Sequence, residues 1–381
     1  MNDRAVELLE QYEIEVLRTR KGRGAILCET NQGYLILKEY AGSQERIALQ
    51  DRLLKQAAEA GLVQAERIVP DREGALFVKD NDGVKYVLKT WQDGRECNIH
   101  DRGECAEAVR LLARLHGNMT LTSDTPGLPE PFSAEKDYEK RNRELKRVRN
   151  YLQQKKQKSW FELNLRKALD GFLEQALAVT EEWKEYAGLP VKDGQGAAPM
   201  AAKAYSGAEP ANRDATENVM AAGKDGQRAA VKETVSFCHG DYQYHNILQG
   251  SNGWFLVNFE KYQRDNPVRD LYLLLRKLLE KENWSVSLGA ELLEAYEKER
   301  PISAYSRIDL YYRLAYPEKF WKIANFYYNS GKAWIPGKNQ EKLEKVIAQE
   351  KEKQCFLDEV FRDVSHLQPD TSRIRKPAVI R

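Results

Sequence analysis

The chain has 381 residues, 31% of them charged, yet its formal net charge is only +2. That length allows one large domain or two ordinary ones with a sizeable core, and the balanced charge excludes a general pull toward nucleic acid or a membrane surface. Five cysteines (Cys28, Cys97, Cys105, Cys238 and Cys355) lack C-x-x-C spacing, which excludes a disulfide framework or a cysteine zinc site and suits a reducing cytosol.

The opening stretch, MNDRAVELLEQYEIEVL, is charged and has no apolar signal-peptide core, so cytoplasmic synthesis is expected. No apolar run approaches the ~18 residues of a membrane span, so no membrane partner is expected. Residues 13–18, 25–30 and 34–40 read as the strands of a meander, separated by Lys21-Gly22-Arg23-Gly24 and Asn31-Gln32-Gly33. A helix is expected from Ser43, a plausible cap, to Ala60, with Gly61 as its stop. Residues 66–69, 75–79 and 84–91 read as three more short strands. From Arg102 the pattern turns helical. Residues 104–117 carry Ala108, Leu111, Leu112 and Leu115 on one face.

Residues 135–158 hold ten Lys/Arg against four acids. That run could mark a nucleic-acid surface, but it reads better as a solvated helix face with few aromatic platforms, and no nucleic-acid partner is expected. A helix over 159–186 follows, with Trp160, Phe161, Leu165, Leu169, Phe172, Leu173 and Leu177 as its buried stripe. Residues 188–232 are Gly/Ala-rich, aperiodic and poor in large apolar side chains. Such a stretch buries too little surface to offset its ordering entropy and reads as a flexible surface insertion. Short strands at 235–238 and 254–258 come next. Helices are expected near 267–282, 287–299, 304–315, 317–330 and 339–361, followed by a loosely ordered tail over 365–381. Trp321, Tyr327, Tyr328 and Trp334 fall at helical spacing and read as core before interface.

The expected fold class is therefore α+β and two-lobed. A small antiparallel β-rich lobe with one main helix spans residues 1–91, and a large, mostly helical lobe spans 92–364.

One segment carries chemistry. His239-Gly240-Asp241, followed by Asn246, has the H-G-D-x-x-x-x-N form of a kinase catalytic loop and lies between two expected strands. Phosphoryl transfer needs positioned phosphates, metal, a cation on the phosphates and a carboxylate to orient the acceptor hydroxyl. Asp241 is the candidate base, Asn246 offers an oxygen to metal, and His239 orients the loop. Lys38, in the apolar strand Y-L-I-L-K-E-Y, is the candidate phosphate-gripping cation; the alternative is a lysine on an exposed strand face. Its partner should be an acid on the following helix: Glu45, Asp51 or Glu59, of which Glu45 is preferred. Gly22-x-Gly24 is equally a phosphate cradle or an ordinary hairpin turn. His245 reads as a loop histidine. Asp270, at the start of a helix, reads as a cap or dipole partner that could also hold the catalytic loop.

Twelve residues past Asn246, where a kinase presents a metal-gripping Asp, this chain has Asn258. Magnesium is held by hard oxygen ligands, usually carboxylates. The amide keeps an oxygen but removes a negative charge, a loss on the order of several kcal/mol at a protein-like dielectric before relaxation. Glu260 could compensate, since residues 258 and 260 of an extended segment point the same way.

These residues resemble the aminoglycoside-phosphotransferase/choline-kinase group of kinase-like folds, through L-A-R-L-H at 112–116 and H-G-D-Y-Q-Y-H-N at 239–246. Further blocks narrow the resemblance to the CotS family of spore coat proteins. They are V-N-F-E-K at 257–261, D-L-Y-L-L-L-R-K-L-L-E-K-E-N-W at 270–284 and Y-P-E-K-F-W-K-I-A-N-F-Y-Y-N at 316–329. The likeness covers most of 13–361 outside the 188–232 insertion. It implies a nucleotide, ATP with Mg²⁺, placed under the small lobe against a hinge at Trp91 and Asp93. It also implies a place in the spore coat of an endospore-forming bacterium, with other coat proteins as partners. Two functions follow as expectations. One is a kinase-like coat protein whose phosphotransferase activity is weak or lost through Asn258. The other is an active ATP-dependent kinase acting on a hydroxyl of a small molecule or coat component.

Overall fold

A computed structural model describes residues 3–22, 24–61, 63–187, 234–329 and 336–364. The proposed 188–232 insertion, the tail beyond residue 364 and Trp334 lie outside the described residues.

A short helix, α1 (Asp3–Leu9), leads into β1 (Val16–Gly22), β2 (Ala25–Thr30) and β3 (Gly33–Glu39); helix α2 (Gln44–Glu59) follows. Ser43 caps α2 by accepting from the Arg46 N–H, and Gly61 ends it with a left-handed φ of 67°. Next come β4 (Gln64–Ala65), β5 (Ile68–Val69), β6 (Val78–Lys79) and β7 (Lys85–Thr90). The antiparallel sheet runs β1-β2-β3-β7-β5, with β6 added to β7.

Two expectations need correcting here. The first strand begins at Val16 rather than Glu13, because the Glu13 and Glu15 backbones are bonded to the side chains of Gln32 and Asn31. The expected strand 75–79 shrinks to Val78–Lys79. The Asp71 carboxylate collects the Glu73 and Ala75 N–H groups into a turn that ladder pairing would otherwise claim.

Strand alternation sorts the sheet into two faces. Leu35, Leu37 and Leu88 pack beneath α1 with Leu8, Leu9 and Tyr12. In the ladder Lys38 pairs with Val87 and Ile36 with Lys89, so Lys38 and Lys89 share the opposite face as diagonal neighbours.

The second lobe opens with β8 (Arg95–Glu96), α3 (Arg102–Asn118), β9 (Thr120–Thr122), α4 (Ala134–Gln154) and α5 (Trp160–Ala187). After the undescribed stretch come β10 (Thr234–Cys238), β11 (Ile247–Gly250), β12 (Gly253–Leu256) and β13 (Gln263–Arg264). Helices α6 (Val268–Lys281), α7 (Val286–Glu299), α8 (Ala304–Ala315), α9 (Glu318–Asn329), α10 (Pro336–Ala348) and α11 (Glu350–Val360) complete it. The single helix expected over 339–361 is broken at Gln349, whose buried side-chain amide donates to the Glu280 carbonyl and to Asn283 Oδ1.

Two small sheets brace the catalytic-type segment. One runs β13-β10-β9 and the other β4-β12-β11-β8, where β4 pairs in parallel with β12 and so ties the first lobe to the second. One large core joins α3, α6 and α7 to α4, α5, α8 and α9; Trp321, Tyr327 and Tyr328 pack against it half-buried. The basic α4 spends several charges internally, Arg149 on Asp170 and Arg143 on Glu139. Among the described residues no helix is long and apolar enough to cross a membrane.

A buried polar chain locks three helices together. Asn142 of α4 donates to Thr180 Oγ1 of α5 at 2.8 Å and accepts from the Tyr316 hydroxyl, just past α8, at 2.9 Å. Asn142→Ala strands the Tyr316 hydroxyl in the core, leaves Thr180 with only the Ala176 carbonyl, and is expected to destabilise the protein by about 1–3 kcal/mol. Urea unfolding would check this, and an unchanged midpoint would refute it.

Candidate active site

Asp241 sits at the end of a loop held from beneath by Asp270. The Asp270 carboxylate is fully buried and accepts from two consecutive backbone N–H groups, His239 at 2.6 Å and Gly240 at 2.9 Å. It also meets His116 Nε2 at 3.2 Å, while His116 Nδ1 bonds the Tyr296 hydroxyl at 2.8 Å. Burial pushes the Asp270 carboxyl up, but the hydrogen bond from His116 leads the effects that outweigh it and hold the group below the usual range. Asp270 lies in the first turn of α6 and faces the loop, not its own helix end.

The loop's shape follows from those bonds. Gly240 takes φ 81°, and a Cβ there would lie 1.9 Å from the Lys261 carbonyl oxygen, so only glycine lets the two segments cross. His239 Nδ1 accepts from the Asp241 N–H at 3.2 Å, which leaves the Nε2–H to donate to the Val257 carbonyl at 3.0 Å. The histidine thereby couples the loop to the residue beside Asn258. The Asp241 carboxylate accepts from Lys261 Nζ at 2.8 Å on one oxygen and from the Gln243 amide on the other. Burial raises the Asp241 pKa, but Lys261 prevails and keeps it below its ordinary value.

The sheet meets this loop through two lysines. Lys38 Nζ donates to Asn258 Oδ1 at 2.8 Å and to Glu260 Oε1 at 3.0 Å. Lys89, only 1% exposed, donates to the same Glu260 oxygen at 2.6 Å and to Glu66 Oε1 at 2.9 Å. Glu66 in turn accepts from the backbone N–H groups of Asn258 and Phe259, both at 3.0 Å. Burial pushes the Glu260 carboxyl up, but Lys89 and then Lys38 overcome it and bring it down to about 2.

Several expectations change at this point. Glu45 does not partner Lys38: it stands in the exposed first turn of α2 with its carboxylate against Ser43. Asp51 pairs with Lys55, and Glu59 lies at the exposed end of α2. The neighbour of Glu45, Arg46, docks α2 instead, donating to the Glu260 and Tyr262 carbonyls at 2.9 Å each and lying over the Tyr262 ring. One residue along a helix turns the side chain by about 100°, enough to exchange solvent for the cleft. The segment after β12 is not extended. Asn258 is left-handed with φ 69° and Phe259–Lys261 form a 3₁₀ turn, yet Asn258 and Glu260 still converge on Lys38.

The amides fix their own orientation. Lys38 is purely a donor, so it must face the oxygen of Asn258; Asn258 Nδ2 then donates to Asn246 Oδ1 at 2.7 Å. Asn246 Nδ2 donates onward to the Asp241 carbonyl at 2.8 Å. The oxygens that would ligate a metal are thus used within the protein. Of Asn246, Asn258 and Glu260 only Glu260 is a carboxylate, and two ammonium groups already balance its charge. This donor set does not fit a tightly held Mg²⁺.

Trp91 and Asp93 lie elsewhere. They line a cavity of about 540 Å³ with Tyr34, Thr90 and Phe255, and neither Lys38 nor Asp241 reaches it. The Trp91 N–H is bonded to the Tyr34 carbonyl, and its ring packs on Leu248, Phe255 and Val257. The turn after Gly22 pairs Gly22 with Ala25, which is itself opposite Lys38, so this turn lies at the Lys38 end of the sheet. His245 lies edge-on to the Tyr244 ring, outside the hydrogen-bonded cluster.

Lys89, Glu66, Lys261, Gln243 and Arg46 were not anticipated from the sequence. Lys89 carried a signal, because V-L-K-T places a lysine in an apolar strand as I-L-K-E does for Lys38. Glu66 carried none, since its partners lie 192 and 193 positions away.

Comparison with known proteins shows the family and the fold. A family model described as the phosphotransferase enzyme family matches residues 24–311. Spore coat protein S of Bacillus subtilis (strain 168) is 29% identical over 157 residues, a stretch covering 38% of this chain and 45% of that protein, so the match spans less than half of the relative. A crystal structure of an aminoglycoside phosphotransferase from Alicyclobacillus acidocaldarius superposes with a TM-score of 0.72 at 18% identity, covering 95% of this chain and 96% of that one. Spectinomycin phosphotransferase with ADP and its antibiotic gives 0.52 at 11% identity over 92% and 98% of the two chains. Amicoumacin kinase with AMP-PNP and Ca²⁺ gives 0.52 at 12% over 92% of each. These likenesses establish a two-lobed kinase-like fold.

Two outcomes test the cluster. Lys89→Met leaves two carboxylates facing a buried gap and is expected to cost about 3–5 kcal/mol in chemical denaturation; a loss near zero would refute the bracket. Glu260 has a depressed folded pKa, so its stabilisation is present above the unfolded value near 4.5 and is lost as pH falls toward about 2. The melting temperatures of wild type and Glu260→Gln should therefore differ at pH 6 and converge over that window. A difference independent of pH would refute the charge assignment.

Proposed function

The chain belongs to the phosphotransferase enzyme family, and on that footing we propose that it is a kinase-like protein of the spore coat S type. In this reading it is made in the cytoplasm of an endospore-forming bacterium, joins the coat with other coat proteins, and transfers phosphate weakly or not at all. The observation that carries the reading is the direct amide–amide hydrogen bond between Asn258 and Asn246, at 2.7 Å, where two metal-facing oxygens would otherwise oppose each other.

The parts that handle phosphate and hydroxyl remain assembled. Lys38 would hold the nucleotide phosphates, exchanging Asn258 and Glu260 for them. Asp241, kept ionised by Lys261, would accept the acceptor's hydroxyl proton as that oxygen bonds the γ-phosphorus and the bond to the β-phosphate oxygen breaks. The Asp270 carboxylate and His239 keep Asp241 in place without touching the reacting atoms. Magnesium would supply charge neutralisation in such a transfer, and Asn258 removes the carboxylate best suited to hold it. The intact Asp241 loop favours a second reading, an active kinase acting on a hydroxyl of a small molecule or coat component.

Calorimetric titration of ATP with and without Mg²⁺ separates the two. We expect the wild type to bind ATP with less than about a 2-fold response to Mg²⁺, and Asn258→Asp to gain at least about 10-fold in affinity when Mg²⁺ is added. Strictly Mg²⁺-dependent binding by the wild type, unchanged by Asn258→Asp, would overturn the weakened-kinase reading in favour of the active one.

A further inference from the structure

Beside Asp241, on the helical side, lies a cavity of about 320 Å³ walled by α4, α6, α8 and α9, a size that suits a small ligand. Its charges do not balance. Glu318 alone answers three cations on this wall: Arg141 at 3.2 Å, Arg276 at 3.5 Å and Lys322 in a closer pair. It also accepts from the Tyr272 hydroxyl, and these charges hold its carboxyl far below the usual range against the opposing effect of burial. Arg141 has a second acid in Asp137 at 2.6 Å, and Arg276 has Glu280 at 2.6 Å, which Lys319 shares.

Two further cations line the same cavity. Lys277 forms no ion pair among the described residues. Burial, then Arg276, Lys319 and Lys322, press its ammonium below the ordinary lysine value, with Glu280 the one carboxylate opposing them. Arg269 reaches Asp265 through Nε at 3.4 Å and stacks on Phe132, but its Nη1 is buried without a hydrogen-bond partner. Arg141 and Arg276 likewise each keep a buried Nε without one. The Lys277 ammonium and the Arg269 guanidinium on the wall of one polar cavity form a receptor for oxyanions. An aminoglycoside, which carries several ammonium groups, would meet repulsion here.

We infer that this cavity is the acceptor site and selects a hydroxyl compound bearing a phosphate or carboxylate group, with the anion against Lys277 and Arg269 and the hydroxyl toward Asp241. The inference rests on the reading of Asp241 as the group that meets the acceptor, and it names the charge class of that acceptor.

The test is calorimetry on the full chain without nucleotide, at one fixed ionic strength, with glucose 6-phosphate, glucose and glucosamine as probes. Glucose 6-phosphate should bind at least about 10-fold tighter than either of the others. Lys277→Met should cut that preference by about 5-fold or more, and Lys277→Arg should retain it. Equal affinities, absence of binding by all three, preference for glucosamine, or a preference untouched by Lys277→Met would overturn the inference. Failure of ATP to bind while glucose 6-phosphate still binds through Lys277 would instead refute the nucleotide reading and leave this one standing.

Discussion

Two lysines on one face of a sheet, sharing one glutamate from the other lobe, hold this molecule's cleft in register. Lys38 and Lys89 are placed together by strand pairing alone, and both donate to Glu260. Lys89 is almost wholly buried, so its charge would be prohibitive without Glu66 and Glu260 beside it. Glu66 extends the bracket by gripping the backbone at Asn258 and Phe259. Asn258, Phe259, Glu260 and Tyr262 are therefore each bonded to a charged side chain of the β-rich lobe.

A second carboxylate does the same from below. Asp270 is buried, binds the backbone of His239 and Gly240, and is itself oriented by His116. The catalytic-type loop thus hangs between Asp270 on α6 and the Val257 carbonyl that His239 reaches. Such a loop has little freedom, which is what a base needs if it is to meet a hydroxyl in one geometry. The Asp241 carboxylate is met by two side chains, Lys261 and Gln243.

Asn258 changes the electrostatics of this frame and leaves its shape intact. An amide can donate, so it closes the gap to Asn246 with a hydrogen bond where a carboxylate would need a cation. The cluster is then electrically complete as it stands, with two lysines against two glutamates. The cavity beside Asp241 is the opposite case, a wall with more cations than acids. The balanced cluster around Asn258 and the cation-rich cavity beside Asp241 are separate features, set by different residues.

The sequence alone carried the fold class and the main actors. H-G-D-x-x-x-x-N is local, because a loop of that length must return its asparagine to its own aspartate backbone, as Asn246 does. Lys38, Asn258 and Glu260 were legible from strand alternation and motif spacing, and the α2 and α3 boundaries from caps and apolar period. Boundaries failed where side chains compete with the ladder, as Asp71, Asn31 and Gln32 do. Only the tertiary structure could show that Lys38 turns to Glu260 instead of Glu45, that Glu66 and Lys89 join them, and that Arg269, Lys277 and Glu318 line one cavity. Periodicity records which way a residue faces within its own element. Which charges meet depends on how the elements pack, and those partners lie tens to hundreds of positions apart.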